Sequence, residues 1–238
     1  MRIALVGYGK MGKIIENIAL NRGHQISARV NIENYTDIQA INRENTDVAI
    51  EFTQPESVIE NLKTLFKGQI PVVCGTTGWL KHKPEMDALC LANDTAFFYA
   101  SNYSIGVNIF FKLNEYLARV MQKYPEYQVK IEEIHHTEKK DAPSGTAITL
   151  AEGIIKNYPS LKNWINEESQ NKADLSIISR REPQVPGTHT IEYQSPIDLI
   201  EIKHLAHSRE GFATGAVLAA EWLKDKKGIF GMDDMLAV

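Results

Sequence analysis

A short strand-like run, Arg2-Ile3-Ala4-Leu5-Val6, ends in Gly7-Tyr8-Gly9-Lys10-Met11-Gly12 and passes at once into a helical pattern through Ile14, Ile15, Ile18 and Ala19. Few local patterns restrict a fold so tightly. Gly-x-Gly-x-x-Gly between a strand and a helix meets three needs: the first glycine turns the chain, the second lets backbone approach a pyrophosphate, and the third lets helix and strand pack closely. The helix N-terminus then favours the phosphate charge. The pattern alone is weak, because a tight strand-to-helix turn in another α/β protein also uses glycine. Its place near the first residue, ahead of a second strand from Gln25 to Val30, favours dinucleotide binding.

The alternation continues. Val48-Ala49-Ile50, Pro71-Val72-Val73-Cys74 and Thr95-Ala96-Phe97-Phe98-Tyr99 are apolar runs, separated by helical stretches over 56–66 and 84–92. Strands apolar on both faces, with helices between them, predict a parallel sheet covered on both sides. After Asn102 the rhythm changes to a helix over 107–121, a strand over 128–135 and a helix from about Ser144 to Asn157. The stretch from Leu175 to Lys203 is β-rich, then Ala213 to Leu223 and Phe230 to Leu236 read as helices. The expected class is α/β: a Rossmann-like doubly wound parallel sheet with a second α+β domain built on a mixed sheet.

Composition excludes whole classes of function. With 238 residues, 43% hydrophobic and 24% charged, the chain suits a packed globular protein. A net charge of −4 argues against nucleic acid or an anionic membrane as the main partner, so any basic site is local. No apolar run approaches the roughly 20 residues of a spanning helix, so no membrane role is expected. Cys74 and Cys90 cannot make a disulfide framework or a thiolate metal cage, and no leader precedes the first strand. A cytoplasmic protein with reduced thiols is expected.

Two further loops follow later strands, at the carboxyl edge where open α/β sheets bind ligands. Gly75-Thr76-Thr77-Gly78 offers N–H groups and hydroxyls, and Ala100-Ser101-Asn102-Tyr103 offers an amide and a ring. Either alone is also ordinary turn chemistry. At the end of the second strand, where an acidic residue would bind the adenosine ribose 2′-hydroxyl, the best-placed residue is Asn31, with Glu33 two residues on. Asn31 neither attracts that hydroxyl strongly nor repels a 2′-phosphate. With Arg29 and Lys10 nearby, NADPH and dual use of NADH and NADPH both stay open.

The stretch Glu133 to Ala147 concentrates general-acid, cationic and anion-cradling residues. His135 and His136 are adjacent on a strand, so their side chains leave on opposite faces and do not readily share one metal. No cluster at ligand spacing accompanies them, and no metal is expected. Lys139 places a positive charge beside the imidazoles. Asp141-Ala142-Pro143 delivers Ser144-Gly145-Thr146 to a helix start, where free N–H groups suit a carboxylate. Each residue alone also has a plain reading, as a helix cap or a satisfied strand histidine.

The run His135-His136, Lys139 and Asp141-Ala142-Pro143-Ser144-Gly145-Thr146-Ala147 closely resembles the signature of the 4-hydroxy-tetrahydrodipicolinate (dihydrodipicolinate) reductase family. The resemblance extends through Gly7 to Gly12, Glu51-Phe52-Thr53-Gln54-Pro55, Gly75 to Gly78, Asn102 to Asn108, Val185 to Thr188, His207-Ser208-Arg209 and Phe212 to Ala216. It implies hydride transfer from NADH or NADPH to a small cyclic dicarboxylate with loss of water, in diaminopimelate and lysine biosynthesis. It implies that His135 donates or accepts a proton, that Lys139 donates one, and that His136, Ser144, Gly145 and Thr146 touch substrate. Gly7, Tyr8, Gly9, Lys10, Met11, Gly12, Gly75, Thr76, Thr77, Ala100, Ser101, Asn102 and Tyr103 are implied cofactor contacts, with Asn31 beside them. The implied division is 1–103 for the dinucleotide, 104–207 for substrate and oligomerisation, and 208–238 returning to the first domain.

Two departures stand out. Asn31 replaces the family's common acidic residue, and the 188–203 region is short and lacks the Gly-Glu-His element of many relatives, although a hairpin turning at Ser195-Pro196 would keep the sheet. A homo-oligomer, a tetramer by resemblance, is therefore the inherited property under most strain. Another two-domain NAD(P)-dependent oxidoreductase, or a catalytically silent NAD(P)-binding regulator, would share the first half. A regulator has no need of His135 with Lys139 beside an anion cradle, and a different dehydrogenase has no reason for so long a signature.

Overall fold

The computed structural model describes residues 1–208 and 210–237. Arg209, part of one motif above, and Val238 lie outside the described residues. The chain divides into two compact units, one holding Met1–Ile105 and the segment from Glu210, the other beginning at Gly106.

In the first unit six strands, β1 (Arg2–Val6), β2 (Gln25–Val30), β3 (Val48–Glu51), β4 (Val72–Cys74), β5 (Ala96–Tyr99) and the late β11 (Gly228–Phe230), form one sheet. Its order is β11-β5-β4-β3-β1-β2, and every pairing is parallel. Alternation along each strand feeds two cores. Ile3, Leu5, Val48, Ile50 and Phe98 face α1 (Lys10–Asn21) and α6 (Glu210–Leu223). Ala4, Val6, Ala49, Val72 and Phe97 face α2 (Val58–Lys67) and α3 (Lys83–Ala92). Burying a ring such as Phe97 or Phe98 contributes about 2–3 kcal/mol, so covering both faces is what makes these short strands stable. The order reverses between β1 and β3, the switch point where ligands of such sheets bind.

The second unit builds a mixed sheet, β10-β9-β6-β8-β7, from β6 (Gln128–His135), β7 (Asn163–Ile165), β8 (Asp174–Arg181), β9 (Gly187–Gln194) and β10 (Leu199–Ala206). β6 pairs parallel to β8 and antiparallel to β9. The β9–β10 hairpin turns through Ser195, whose Oγ accepts the N–H groups of Ile197 and Asp198, close to the expected Ser195-Pro196 corner. One sheet face, with Ile131, Leu175, Ile177, Ile191 and Tyr193, packs on α4 (Ile105–Met121) and α5 (Gly145–Asn157).

The sequence reading erred at short elements. The expected terminal helix over 230–236 divides into β11, ending at Phe230, and α7 (Met232–Leu236). β11 is three residues long, and its partner β5 lies 132 residues earlier, so no local period could reveal it. β7, also three residues long, is absent from the expectation as well.

Candidate active site

Because all strands of the first sheet are parallel, the loops after β1, β3, β4 and β5 share its carboxyl edge. The three glycines of the first loop have different surroundings. Gly7 has φ +99°, and a Cβ there would lie 1.9 Å from the Phe52 carbonyl oxygen. A Cβ on Gly12 would lie 2.6 Å from the Gly7 oxygen. On Gly9 it would meet nothing within 4 Å, so backbone is open to a ligand where a pyrophosphate would approach. Gly9 also caps α1 without a side-chain acceptor, and the first N–H groups of that helix, at Lys10, Met11 and Gly12, lack intrahelical acceptors. This fits a dinucleotide phosphate.

The later loops are tied together beneath the edge. Glu51, fully buried at the end of β3, accepts hydrogen bonds from the hydroxyls of Thr53 and Thr76, from Cys74 Sγ and from Asn61 Nδ2. Burial raises its pKa, and those hydrogen bonds oppose the rise. Thr76 Oγ1 also accepts the Thr53 N–H at 2.8 Å. Gly75 backs onto the Phe52 ring. Tyr103 is buried, its hydroxyl donating to the Cys74 carbonyl at 2.8 Å. Thr76, Ala100 and Tyr103 are therefore buried supports of the edge, while Thr77 and Ser101 are exposed on it and Asn102 is partly exposed.

Beyond β2, Asn31 Oδ1 accepts the N–H groups of Glu33 and Asn34, and Asn34 Oδ1 accepts that of Asn31. The turn thereby engages the Asn31 side-chain oxygen. Arg29, expected to help a 2′-phosphate, is instead bound by the Glu16 carboxylate, which also takes the Tyr8 hydroxyl proton donor. Lys10 is exposed.

The second cluster is built by strand register. Glu133 and His135 are two residues apart on β6 and so share the face that packs on the helices. Glu133 sits across from Ser179 on β8 and His189 on β9, and His135 sits across from Arg181. The Glu133 carboxylate is fully buried. It accepts the Ser179 hydroxyl at 2.8 Å and the Ser144 N–H at 3.0 Å, and lies 3.4 Å from His135 Nδ1, 3.6 Å from His189 Nε2 and 3.8 Å from an Arg181 nitrogen. Burial would raise its pKa, but His189 beside it and hydrogen bonds from Ser144 and Ser179 outweigh this and hold it at about 2. Burial lowers His135 to about 4; Glu133 opposes that, while His189, Lys139 and Arg181 reinforce it. His135 is thus a neutral imidazole at neutral pH.

Ser144 caps α5: its Oγ accepts the Ala147 N–H and lies 3.2 Å from His189 Nε2. The N–H groups of Gly145 and Thr146 then have no intrahelical acceptor, and a Cβ on Gly145 would meet nothing within 4 Å. That is an open anion cradle. Lys139 Nζ binds Asp141 at 2.8 Å, and Arg181 braces the loop through the carbonyls of Lys139 and Asp141. His136 is partly exposed.

One carboxylate oxygen of Glu133 and one nitrogen from each of His135 and His189 lie within 4.8 Å of one another. The Glu133 oxygens are already taken by Ser144 and Ser179, and the cations of Lys139 and Arg181 stand close by. The chemistry is that of a hydrogen-bonded carboxylate serving an anion site.

Sequence reasoning left four members of this cluster without a role: Glu133, Ser179, Arg181 and His189. Strand period alone places Glu133 beside His135. His189 was findable as well, because Gly187-Thr188-His189 retains two of the three residues of the Gly-Glu-His element. Ser179 and Arg181 carry no local signal.

Residues 1–103 match the family model described as dihydrodipicolinate reductase, N-terminus, and residues 106–236 match the model of its C-terminus. A 4-hydroxy-tetrahydrodipicolinate reductase of Christiangramia forsetii is 52% identical over 239 residues, covering 100% of this chain and 98% of the relative. A protein of the same name from Methanococcoides burtonii is 34% identical over 254 residues, covering 96% of this chain and 95% of the relative. The dipicolinate-bound dihydrodipicolinate reductase of Paenisporosarcina sp. TG-14 shares the fold, with a TM-score of 0.78, 23% identity and 98% coverage of each chain. With a phosphate-ready turn in one unit, an anion cradle beside paired histidines in the other, and both family models matched in order, the chain belongs to the dihydrodipicolinate reductase family.

Proposed function

We propose that the protein reduces 4-hydroxy-tetrahydrodipicolinate to tetrahydrodipicolinate with loss of water, using NAD(P)H, in diaminopimelate and lysine biosynthesis. The observation that carries this reading is the second cluster: a carboxylate-ready helix start, Lys139 and two histidines, held by one buried carboxylate. Residues 1–103 would form the dinucleotide domain and 104–207 the substrate and oligomerisation domain, with the chain then returning to the first. The phosphates would lie on the N–H groups after Gly9, with Tyr8, Lys10, Met11, Gly75, Thr77, Ser101 and Asn102 completing the site from the exposed edge. Bound there, NAD(P)H supplies the hydride.

The protein's own residues do the rest. Gly145, Thr146, His136 and Lys139 hold the substrate carboxylates, and Ser144 fixes their cradle from behind. Holding both ends of the ring fixes its position, and positioning of this kind lowers the barrier. The 4-hydroxyl and a proton from the neighbouring carbon leave as water, giving a ring double bond; hydride addition to that bond then leaves an electron pair at the neighbouring position, which takes a proton. The Lys139 ammonium is the donor, and His135, neutral in the free site, accepts or relays the proton. Asn31 carries no charge to select between a 2′-hydroxyl and a 2′-phosphate, and Arg29 is bound to Glu16, so both NADH and NADPH are accepted. A homo-oligomer and a cytoplasmic setting complete the reading; no described helix is long and apolar enough to cross a membrane.

The test is direct. Given the condensation product of pyruvate and aspartate semialdehyde, purified protein is expected to consume the dihydronicotinamide absorbance of NADH and of NADPH. Folded protein that leaves both unchanged overturns the function, and use of one alone overturns the dual-cofactor reading.

A further inference from the structure

The mechanism above uses His135 and the cradle but leaves two fully enclosed groups, Glu133 and His189, without a part. Their placement is specific. Glu133 touches both halves of the site: its oxygens accept the Ser144 N–H at 3.0 and 3.2 Å, and one of them lies 3.4 Å from His135 Nδ1. His189, directly across the strand pair, lies 3.6 Å from the same carboxylate and 3.2 Å from Ser144 Oγ, with its ring edge-on to that of His135 at 5.1 Å. Gly187 leaves room on the same strand: a Cβ there would lie 3.2 Å from His135 Nε2.

We propose that Glu133 and His189 are positioning residues for the reduction. The Glu133 carboxylate couples the imidazole of His135 to the Ser144–Thr146 cradle, and His189 holds that carboxylate and the cap in register. This inference rests on the role given to His135 in the proposed function. Substrate carboxylates and the proton-transfer group are then set in one geometry by one buried charge, rather than by two independent supports.

The groups facing His135 come from three strands and one loop: Glu133 on β6, His189 on β9, Arg181 on β8 and Lys139 ahead of α5. Glu133 alone among them favours the protonated imidazole, and the other three oppose it. Opposite signs follow for two substitutions. Glu133→Gln keeps an oxygen to accept the Ser144 N–H and removes the charge, so the His135 midpoint moves down. His189→Asn keeps a hydrogen-bonding side chain and removes an opposing imidazole, so the midpoint moves up.

The experiment measures kcat across pH for the wild type and both variants, with dinucleotide affinity by fluorescence and folding by circular dichroism. Expected are a fall in kcat of about tenfold or more in Glu133→Gln and a downward shift of about one unit in its pH midpoint. A smaller upward shift is expected in His189→Asn, with NAD(P)H affinity unchanged in both. Identical pH midpoints, or shifts of the same sign, overturn the proposal, because a purely structural role moves stability and not these profiles. Should Glu133→Gln fail to fold, the upward shift in His189→Asn decides alone. Wild-type protein with no turnover overturns the function itself; the proposal is then decided by the His135 imidazole resonances, titrated by NMR with pyridine-2,6-dicarboxylate present, on the same signs.

Discussion

The two clusters show two ways of building a site for negative charge. The loop after β1 works through what it lacks: side chains on Gly7 and Gly12 would strike the backbone of Phe52 and Gly7, and the space beside Gly9 is open. The cluster on β6, β8 and β9 works through side chains that strand register brings together from residues 133, 179, 181 and 189. The first is local in sequence and tolerant of chemistry but not of volume. The second is dispersed, and its cost lies in enclosing charges, which the hydrogen bonds to Glu133 offset.

The sharpest way to break this contrast is to add one carbon to the first site. Gly7→Ala combines a positive φ with a Cβ 1.9 Å from the Phe52 oxygen, and is expected to destabilise the protein by about 3 kcal/mol or more, read by denaturant unfolding. Next in size, Lys139→Ala should lower kcat about a hundredfold while NAD(P)H affinity stays within about twofold; equal loss of both would erase the division of labour.

Acid probes the side-chain cluster directly. His135 sits at about 4 against an ordinary 6.5, and Glu133 at about 2 against 4.5. In both cases the unfolded chain binds protons at a higher pH than the folded one, so stability falls as pH drops, first between 6.5 and 4 and then between 4.5 and 2. The His135 contribution is on the order of 2 kcal/mol, and His135→Asn should flatten the first segment in thermal unfolding followed across pH. The smallest effect belongs to Gly9→Val. With open space around it, stability should hold within about 0.5 kcal/mol, while NAD(P)H affinity drops about tenfold, or about 1.4 kcal/mol.

The same contrast explains what the sequence disclosed. Gly7 to Gly12 announced itself because its spacing is the mechanism. The expected strands 2–6, 25–30 and 128–135 match the observed bounds to the residue. His135, Lys139 and the 144–146 helix start were visible as one segment. Arg181 and Ser179 were not, because only the β6–β8 register places them beside Glu133. Arg29 misled for a related reason: its proximity to the nucleotide loop was read correctly, but its partner Glu16 lies on α1, one helix earlier.

α6 and β11 belong to the first unit although more than a hundred residues of the second unit precede them. During synthesis, β1 to β5 therefore leave the ribosome with one apolar face covered only by α1, since Ala213, Ala216, Val217, Ala220 and Leu223, which complete it, are translated after the second unit. The second unit, a continuous stretch, can fold while that face waits. The order of translation thus leaves the first unit to be completed after the second, although its glycine loop is among the first residues made.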